Sequence, residues 1–212
     1  YNDSYSASIV QALTTHKFGI GNSSFRSGNL IEGPADTASF GLIKKTIFNR
    51  IGYYNEKLIR CQDYEFNRRI KEKGGLVWIN PKAVATYKNA KSLAFFLFKQ
   101  IKLEAPYNVY MWYLARYTFA YRHGITGVFV LGLIGGSVLT NFFPLIGNIF
   151  YPVLLLYFVL AVISSIQQAI RYKTFLHIFS LPFSFLFFHI FHGLGIIIGS
   201  IKILTKSSPL QK

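Results

Sequence analysis

From Gly124 to Ile170 the chain runs 47 consecutive positions without an Asp, Glu, Lys or Arg. One hydrocarbon crossing needs roughly 20 apolar residues, so this run exceeds one crossing and has room for two. Successive uncharged segments of this length are rare in a globular domain, and the run therefore reads as membrane-embedded. Its natural break is FFPLIGNIFYP, residues 142 to 152, where two prolines, Gly147 and Asn148 interrupt the pattern. That places one span near 124–143 and another near 150–168. A third apolar run, Thr174 to Ile201, holds only histidines as ionisable groups. Its length suits one tilted crossing, or one crossing plus an interfacial turn.

Charge divides the chain at about the same place. All eight acidic residues lie at or before Glu104, and the net charge is +15. The first 123 residues carry 18 basic side chains and the remainder five. A basic face beside a bilayer attracts anionic lipid, and it would equally suit a phosphate-bearing substrate. No finger spacing, RNP-like motif or basic recognition helix accompanies the charge, which argues against nucleic acid as a partner. Basic residues at 116, 122, 171 and 173 put both ends of the first two spans on the cytoplasmic side. Lys202, Lys206 and Lys212 end outside if the third run crosses, and inside if it lies in the interface or re-enters. The single cysteine, Cys61, agrees with a reduced compartment. No signal-peptide pattern opens the chain, and its start without Met in polar sequence reads as part of a longer protein.

The polar half offers a few elements. Residues 4–16 read as an indistinct helix, and FGIGNSSFRSG, 18–28, as a glycine-punctuated connection. In TASFGLIKKTIFNRIG, the apolar spacing of Ile43, Ile47 and Ile51, widened by Phe48, predicts a helix closed by Gly52. A second helix is expected to open near Asp63 in QDYEFNRRIKEKGG, with Phe66 and Ile70 facing inward and Gly74 and Gly75 ending it. Glu65 is within helical reach of Arg68 or Arg69, and Arg68 of Glu72. LVWI, 76–79, and AVATY, 83–87, are strand candidates. Residues 91–121 mix aromatic with basic side chains and suggest interfacial helices broken near Pro106.

Few chemical motifs stand out. His189 and His192 in HIFHG share a helix face, but a zinc site needs further ligands that the neighbourhood does not supply. There is no GxSxG elbow and no GxxxxGK[ST] loop, so hydrolase and ATPase readings fall away. A transporter is a more distant alternative, lacking a polar pathway through several spans. Asp63, by itself, is either a helix-start carboxylate favoured by the dipole or a catalytic group.

A resemblance weights that choice. The ordered set FGIGNSSFRSG, ADTASFG, KKTIFNRIGYYNEKLIRCQDYEFNRRIKEKGGLVWINPKAVATY and KSLAFFLFKQ, over about residues 16–103, resembles the latter half of family 2 glycosyltransferases, above all bacterial membrane-associated enzymes of the succinoglycan-biosynthesis type. It implies an α/β fold, a partial GT-A domain (residues 1–90), followed by interfacial helices (91–123), two or three transmembrane helices (124–203) and a basic tail (204–212). It implies inverting transfer of a sugar from a nucleotide-sugar donor to a membrane-proximal, lipid-linked or glycan acceptor, at a bacterial inner membrane with the catalytic domain facing the cytoplasm.

On that resemblance Asp63 is the general base that takes the proton of the attacking hydroxyl, with Gln62 where a Glu is commoner. Asp36, Thr37, Phe40 and Gly41 fall at the acceptor cleft, or at a turn. Arg68 and Arg69 approach the diphosphate, or pair on the helix surface. Lys99 and Gln100 match the start of the interfacial region. A divalent cation, Mg2+ or Mn2+, is expected through an Asp-x-Asp motif that this chain does not contain. Neither does it contain the Gln-x-x-Arg-Trp signature of processive synthases. The chain is thus not expected to catalyse transfer alone, and the competing reading is a noncatalytic membrane-associated fragment or scaffold of the same fold.

Overall fold

The computed structural model describes residues 4–21 and 31–210. Most of the connection expected at 18–28, from residue 22 onward, lies outside the described residues. The chain is built from helices. α1 (Tyr5–Thr14) opens on Ser4, whose hydroxyl accepts from the Ala7 N–H at 3.1 Å. α2 (Lys17–Ile20) is a single turn, α3 spans Lys45–Ile51 and α4 spans Gln62–Glu72.

The expected α/β domain is not found among the described residues. The described residues hold two strands, β1 (Gly33–Pro34) and β2 (Trp78–Ile79), paired antiparallel as one ribbon with Gly33 opposite Ile79 and Pro34 opposite Trp78. LVWI contributes only its last two residues to a strand, and AVATY forms none. The physical reason is visible in the burial. The strands of a doubly covered sheet are apolar on both faces, whereas here Val77 and Ile79 are buried while Leu76 and Trp78 are exposed. Pro34 has no N–H to give a further strand, and Pro81 comes two residues after the other strand ends. A two-stranded ribbon cannot form the nucleotide-binding sheet of a GT-A domain. This overturns the resemblance to family 2 glycosyltransferases, and with it the sugar-transfer and enzyme readings.

The helical expectations in this half fare differently. Ile43, Ile47, Phe48 and Ile51 pack against a small core of Ala35, Phe66, Ile70, Val77 and Ile79. Gly74 takes φ 74°, and the Gly75 N–H returns to the Ile70 carbonyl at 2.8 Å, closing α4.

Residues 93–114 form one nearly continuous helical path. α5 (Leu93–Lys99) runs into a π-helical turn (Gln100–Glu104), and α6 (Ala105–Leu114) follows. Pro106 does not break the path. Its ring would meet the carbonyl four residues back in an α-helix. The wider π spacing, in which the Ala105 N–H bonds the Gln100 carbonyl, accommodates it. Seven consecutive residues, Ala105 to Met111, are buried, so the first two turns of α6 are enclosed on every face, while Tyr113 near its end is exposed.

Three longer helices complete the chain: α7 (Tyr121–Leu139), α8 (Pro144–Tyr172) and α9 (His177–Leu204). Each is long and apolar enough to cross a membrane, and the chain is a multi-pass membrane protein in this general sense. The break between the first two is shorter than expected. It occupies only residues 140–143; Pro144 starts α8, and Pro152 lies inside it. The third run is a single unbroken helix. Its most apolar window is 56% buried, against 17% for each of the other two, so α9 is the helix around which the rest packs.

Glycines set that packing. A Cβ on Gly193 would fall on the Thr126 carbonyl of α7, and one on Gly199 would come within 2.9 Å of the Pro106 Cα of α6. Close approach of backbones through small residues is the usual means of joining apolar helices in lipid. Outside this contact the surface of α7 and α8 is apolar and exposed at Ile125, Val128, Leu131, Ile134, Leu145, Ile149, Leu155 and Ile163, among others.

Candidate functional site

α4 carries the densest set of polar contacts. Glu65 points inward with a side chain only 3% exposed. It takes two hydrogen bonds from Arg69, from Nε at 2.9 Å and Nη2 at 2.8 Å, and a third from the Tyr117 hydroxyl at 2.6 Å. Arg69 spends its other donors on the Ile51 and Tyr53 carbonyls, both at 2.9 Å, and so ties the end of α3 to α4. Burial, and then the hydrogen bond to Glu65, raise the pKa of Tyr117 well above the ordinary phenol value.

One turn on, Arg68 donates from Nη1 to Asp36 Oδ1 at 2.7 Å and from Nε and Nη2 to the Tyr117 carbonyl at 3.2 and 2.9 Å. Asp36 accepts a second guanidinium, Arg122 Nη2 at 2.9 Å, from the first turn of α7, and Lys71 Nζ stands 3.6 Å away. The Arg122 guanidinium also lies over the Tyr64 ring, 5.2 Å from its centroid. Partial burial pushes the Asp36 carboxyl up, but hydrogen bonds and charge from Arg68 and Arg122 outweigh it and hold the pKa below the ordinary value. Asn67 completes the set, donating to Thr37 Oγ1 at 2.9 Å and the Ala38 carbonyl at 2.6 Å.

The residues singled out from sequence therefore separate. Asp36, Thr37, Arg68 and Arg69 come together, as a junction between the loop before α3, α4 and the start of α7. Asp63 does not join them. It sits exposed in the first turn of α4, shows no hydrogen bond or ion pair among the described residues, and has a pKa raised by the burial that it does have. Its charge acts on Tyr54, whose hydroxyl pKa is raised first by burial and then by Asp63. Gln62 is the half-buried first residue of the same helix. Phe40 and Gly41 lie on an exposed loop, Phe40 being 76% exposed with φ 57°. Lys99 pairs with Glu104 at 3.0 Å across the π turn. Gln100 is buried, its carbonyl so close to Gly195 that a Cβ there would stand 3.0 Å from it.

Several contributors were not read from sequence. Arg122 and Tyr117 follow or sit among aromatic residues that suggested only an interface, and their partners are 86 and 52 residues away. Cys61, beside Gln62, adopts φ 64° and donates from Sγ to Asn108 Oδ1 at 3.5 Å; burial pushes its thiol up to about 12. The next links run into the apolar half. Asn108 Nδ2 is 3.4 Å from His192 Nε2, and His192 Nδ1 is 2.8 Å from Thr126 Oγ1. His189 instead meets the Tyr157 hydroxyl at 2.8 Å. The two histidines of HIFHG thus fasten α9 to α6 and α7 on one side and to α8 on the other. Gln168 of α8 donates to the Ala12 carbonyl at 2.5 Å and to Thr15 Oγ1 at 3.1 Å, joining α8 to α1.

Among the described residues no group of three or more His, Cys, Asp or Glu is placed to share a metal ion. A groove of about 510 Å³ opens between α5, the π turn and α9, lined by Phe98, Ile101, Lys102, Pro106, Ile198 and Lys202. Comparison with protein-family models, curated proteins and solved structures finds no match.

Proposed function

We propose that this chain is a noncatalytic, membrane-inserted scaffold that fixes a small polar helical cap against a bilayer, with the cap on the cytoplasmic side. The observation that carries the reading is the use made of the cap's charges. Asp36, Glu65, Arg68, Arg69 and Arg122 spend their donors and acceptors on one another and on backbone carbonyls. Such a network orders the chain from the loop before α3 to the foot of α7 and leaves those groups engaged in structure. The apolar exterior of α7 and α8 supplies insertion, since side chains such as Leu155 and Ile149 gain by leaving water for hydrocarbon. Basic residues at the foot of the hairpin, Arg116, Arg122, Arg171 and Lys173, support the cytoplasmic placement.

The test is expression of residues 1–212 with a terminal tag, fractionation of membranes, and alkaline carbonate extraction. The chain is expected in the carbonate-resistant pellet, and an Asp63→Asn variant is expected to behave identically in insertion and thermal stability. Recovery in the soluble fraction would overturn the reading, as would sugar transfer by the purified chain.

A further inference from the structure

We infer that α9 does not cross the bilayer but lies in the plane of its headgroup region on the cap side, held there partly by anionic lipid phosphate. The inference rests on the membrane-anchor reading above and adds the topology. Its first ground is that both ends of α9 touch the cap. At the start, His177 Nε2 is 3.1 Å from Ser8 Oγ, and Ser180 Oγ is 2.7 Å from the Tyr5 hydroxyl, both partners on α1. At the end, Ile203 packs against the cluster formed by Leu58, Tyr64, Tyr107, Tyr110 and Met111.

The middle is no different. Leu181, Phe185 and Phe188 share a core with Ile9, Val10 and Leu13 of α1 and Phe96 and Leu97 of α5, while Gly195 and Gly199 rest on the π turn and α6. At 1.5 Å per residue, the stretch from 177 to 203 is about 39 Å long, more than a hydrocarbon core of about 30 Å. If α9 crossed, α1, α5 and α6 would cross beside it. That would carry the Lys99–Glu104 pair, Lys102 and Asn108 into lipid, where such groups are strongly disfavoured.

The second ground is how α7 and α8 meet α9. On α7 the contact falls at Thr126, Gly127 and Val130; farther along, a Cβ on Gly132 or Gly135 would meet nothing. On α8 the buried residues fall from Ala161 to Ala169, apart from Gly147. The outer halves of α7 and α8 meet each other, Gly136 against Phe150 and Gly147 near Thr140. The hairpin therefore stands on α9 and projects from it, as a two-span stem on an in-plane base.

The remaining face of α9 fits the hydrocarbon boundary. Phe179, Phe183, Phe187, Ile198 and Ile201 are exposed along one stripe at helical spacing. Beside it, the groove is lined by Lys102 and Lys202 together with Phe98, Ile101, Pro106 and Ile198, and the Lys102 ammonium lies 5.8 Å from the Phe98 ring centroid. Two cations among apolar side chains suit a phospholipid phosphate with its acyl chain along Phe98 and Ile198. This arrangement also puts Lys202 and Lys206 on the same side as Arg116 and Arg122, in keeping with the positive-inside rule.

The test uses the full chain in cells with single added cysteines, since the native Cys61 thiol is buried. Glu56→Cys reports the cap, Asn141→Cys the hairpin tip and Ser207→Cys the end of α9. With a membrane-impermeant maleimide, Ser207→Cys is expected to label from the same side as Glu56→Cys, and Asn141→Cys from the opposite side. Labelling of Ser207→Cys together with Asn141→Cys would show α9 crossing and overturn the inference while leaving the anchor intact. Loss of the chain from carbonate-washed membranes would overturn the anchor and the inference together. For the lipid contact, lipids retained by the purified protein are compared after reconstitution in equal phosphatidylglycerol and phosphatidylcholine. Lys102→Gln with Lys202→Gln is expected to reduce the phosphatidylglycerol enrichment several-fold, and an unchanged ratio would remove phosphate from the inference.

Discussion

At the level of single residues, Glu65 decides most. It is the acceptor for both Arg69 and Tyr117, and its side chain is almost fully enclosed. Glu65→Ala leaves a guanidinium without its carboxylate and a buried hydroxyl without an acceptor, and is expected to destabilise the fold by about 3 kcal/mol. Glu65→Gln keeps one acceptor oxygen and should cost roughly half as much, a difference that thermal melting in detergent would measure. Asp36, half-buried where Glu65 is enclosed, gives a pH signature. Its pKa is lowered in the folded chain, so its contribution is present above the unfolded value of about 3.9 and is lost as pH falls through the lower folded value. The melting temperature is expected to drop as pH falls below the ordinary carboxylate value of about 3.9 in the parent, and Asp36→Asn should flatten that slope while lowering stability at pH 7. An unchanged slope would mean that Asp36 is not the group titrating. The resemblance put Asp36 and Thr37 at an acceptor cleft or a turn, and Arg68 and Arg69 near a diphosphate or on the helix surface, so it did not foresee the Asp36–Arg68 pair. Helical spacing offered Glu65 with Arg68 or Arg69 and Arg68 with Glu72, on the helix surface; the partner of Glu65 is Arg69, in an enclosed site, and Arg68 pairs with Asp36 instead. Spacing had no way to offer Arg122 or Tyr117, because their contacts depend on how α7 returns to α4.

Among the elements, helices were legible and strands were not. The stripe Ile43, Ile47, Ile51, the inward pair Phe66 and Ile70, and the glycines closing α4 all rest on local spacing, which a helix satisfies within its own chain. A strand depends on a distant partner, and among the described residues LVWI found a short one, Gly33 and Pro34 with the Ala35 N–H on the Val77 carbonyl. The π turn was illegible for a related reason: Pro106 announces that an α-helical bond must fail, but not whether the helix stops or widens. The glycine contacts of α9 yield a directional prediction. Gly193→Ala places a methyl group against the Thr126 backbone, where it cannot be moved aside, and should cost about 1–3 kcal/mol by overpacking. Gly132→Ala meets open space and gains helix propensity of up to about 1 kcal/mol. The pair should therefore shift the melting temperature in opposite directions, and equal losses from both would show that the α7–α9 contact is not as close as described.

For the whole molecule, the cap and the membrane helices share their cores. Of the nine buried residues around Leu13, three belong to α9, and the cluster around Tyr110 is closed by Ile203. A cap without α9 would expose Ile9, Leu13, Phe96 and Leu97 to water together, at about 1.5–3 kcal/mol for each such side chain. Small domains have total stabilities of only about 5–15 kcal/mol. Residues 4–118 are therefore expected not to fold alone, although the ion pairs that α4 makes among the described residues, Arg68–Asp36, Lys71–Asp36 and Glu65–Arg69, lie within them. Digestion with a low concentration of trypsin separates the possibilities, because the cap holds most of the Lys and Arg residues. In the intact, detergent-solubilised chain, cleavage at Arg68 and Arg69 is expected to be slow, since both guanidinium groups are engaged. In the truncated chain the same sites should be cut at least tenfold faster. Equal protection in both would establish that the cap is an independent domain, and that the packing along α9 joins two finished folds rather than completing one.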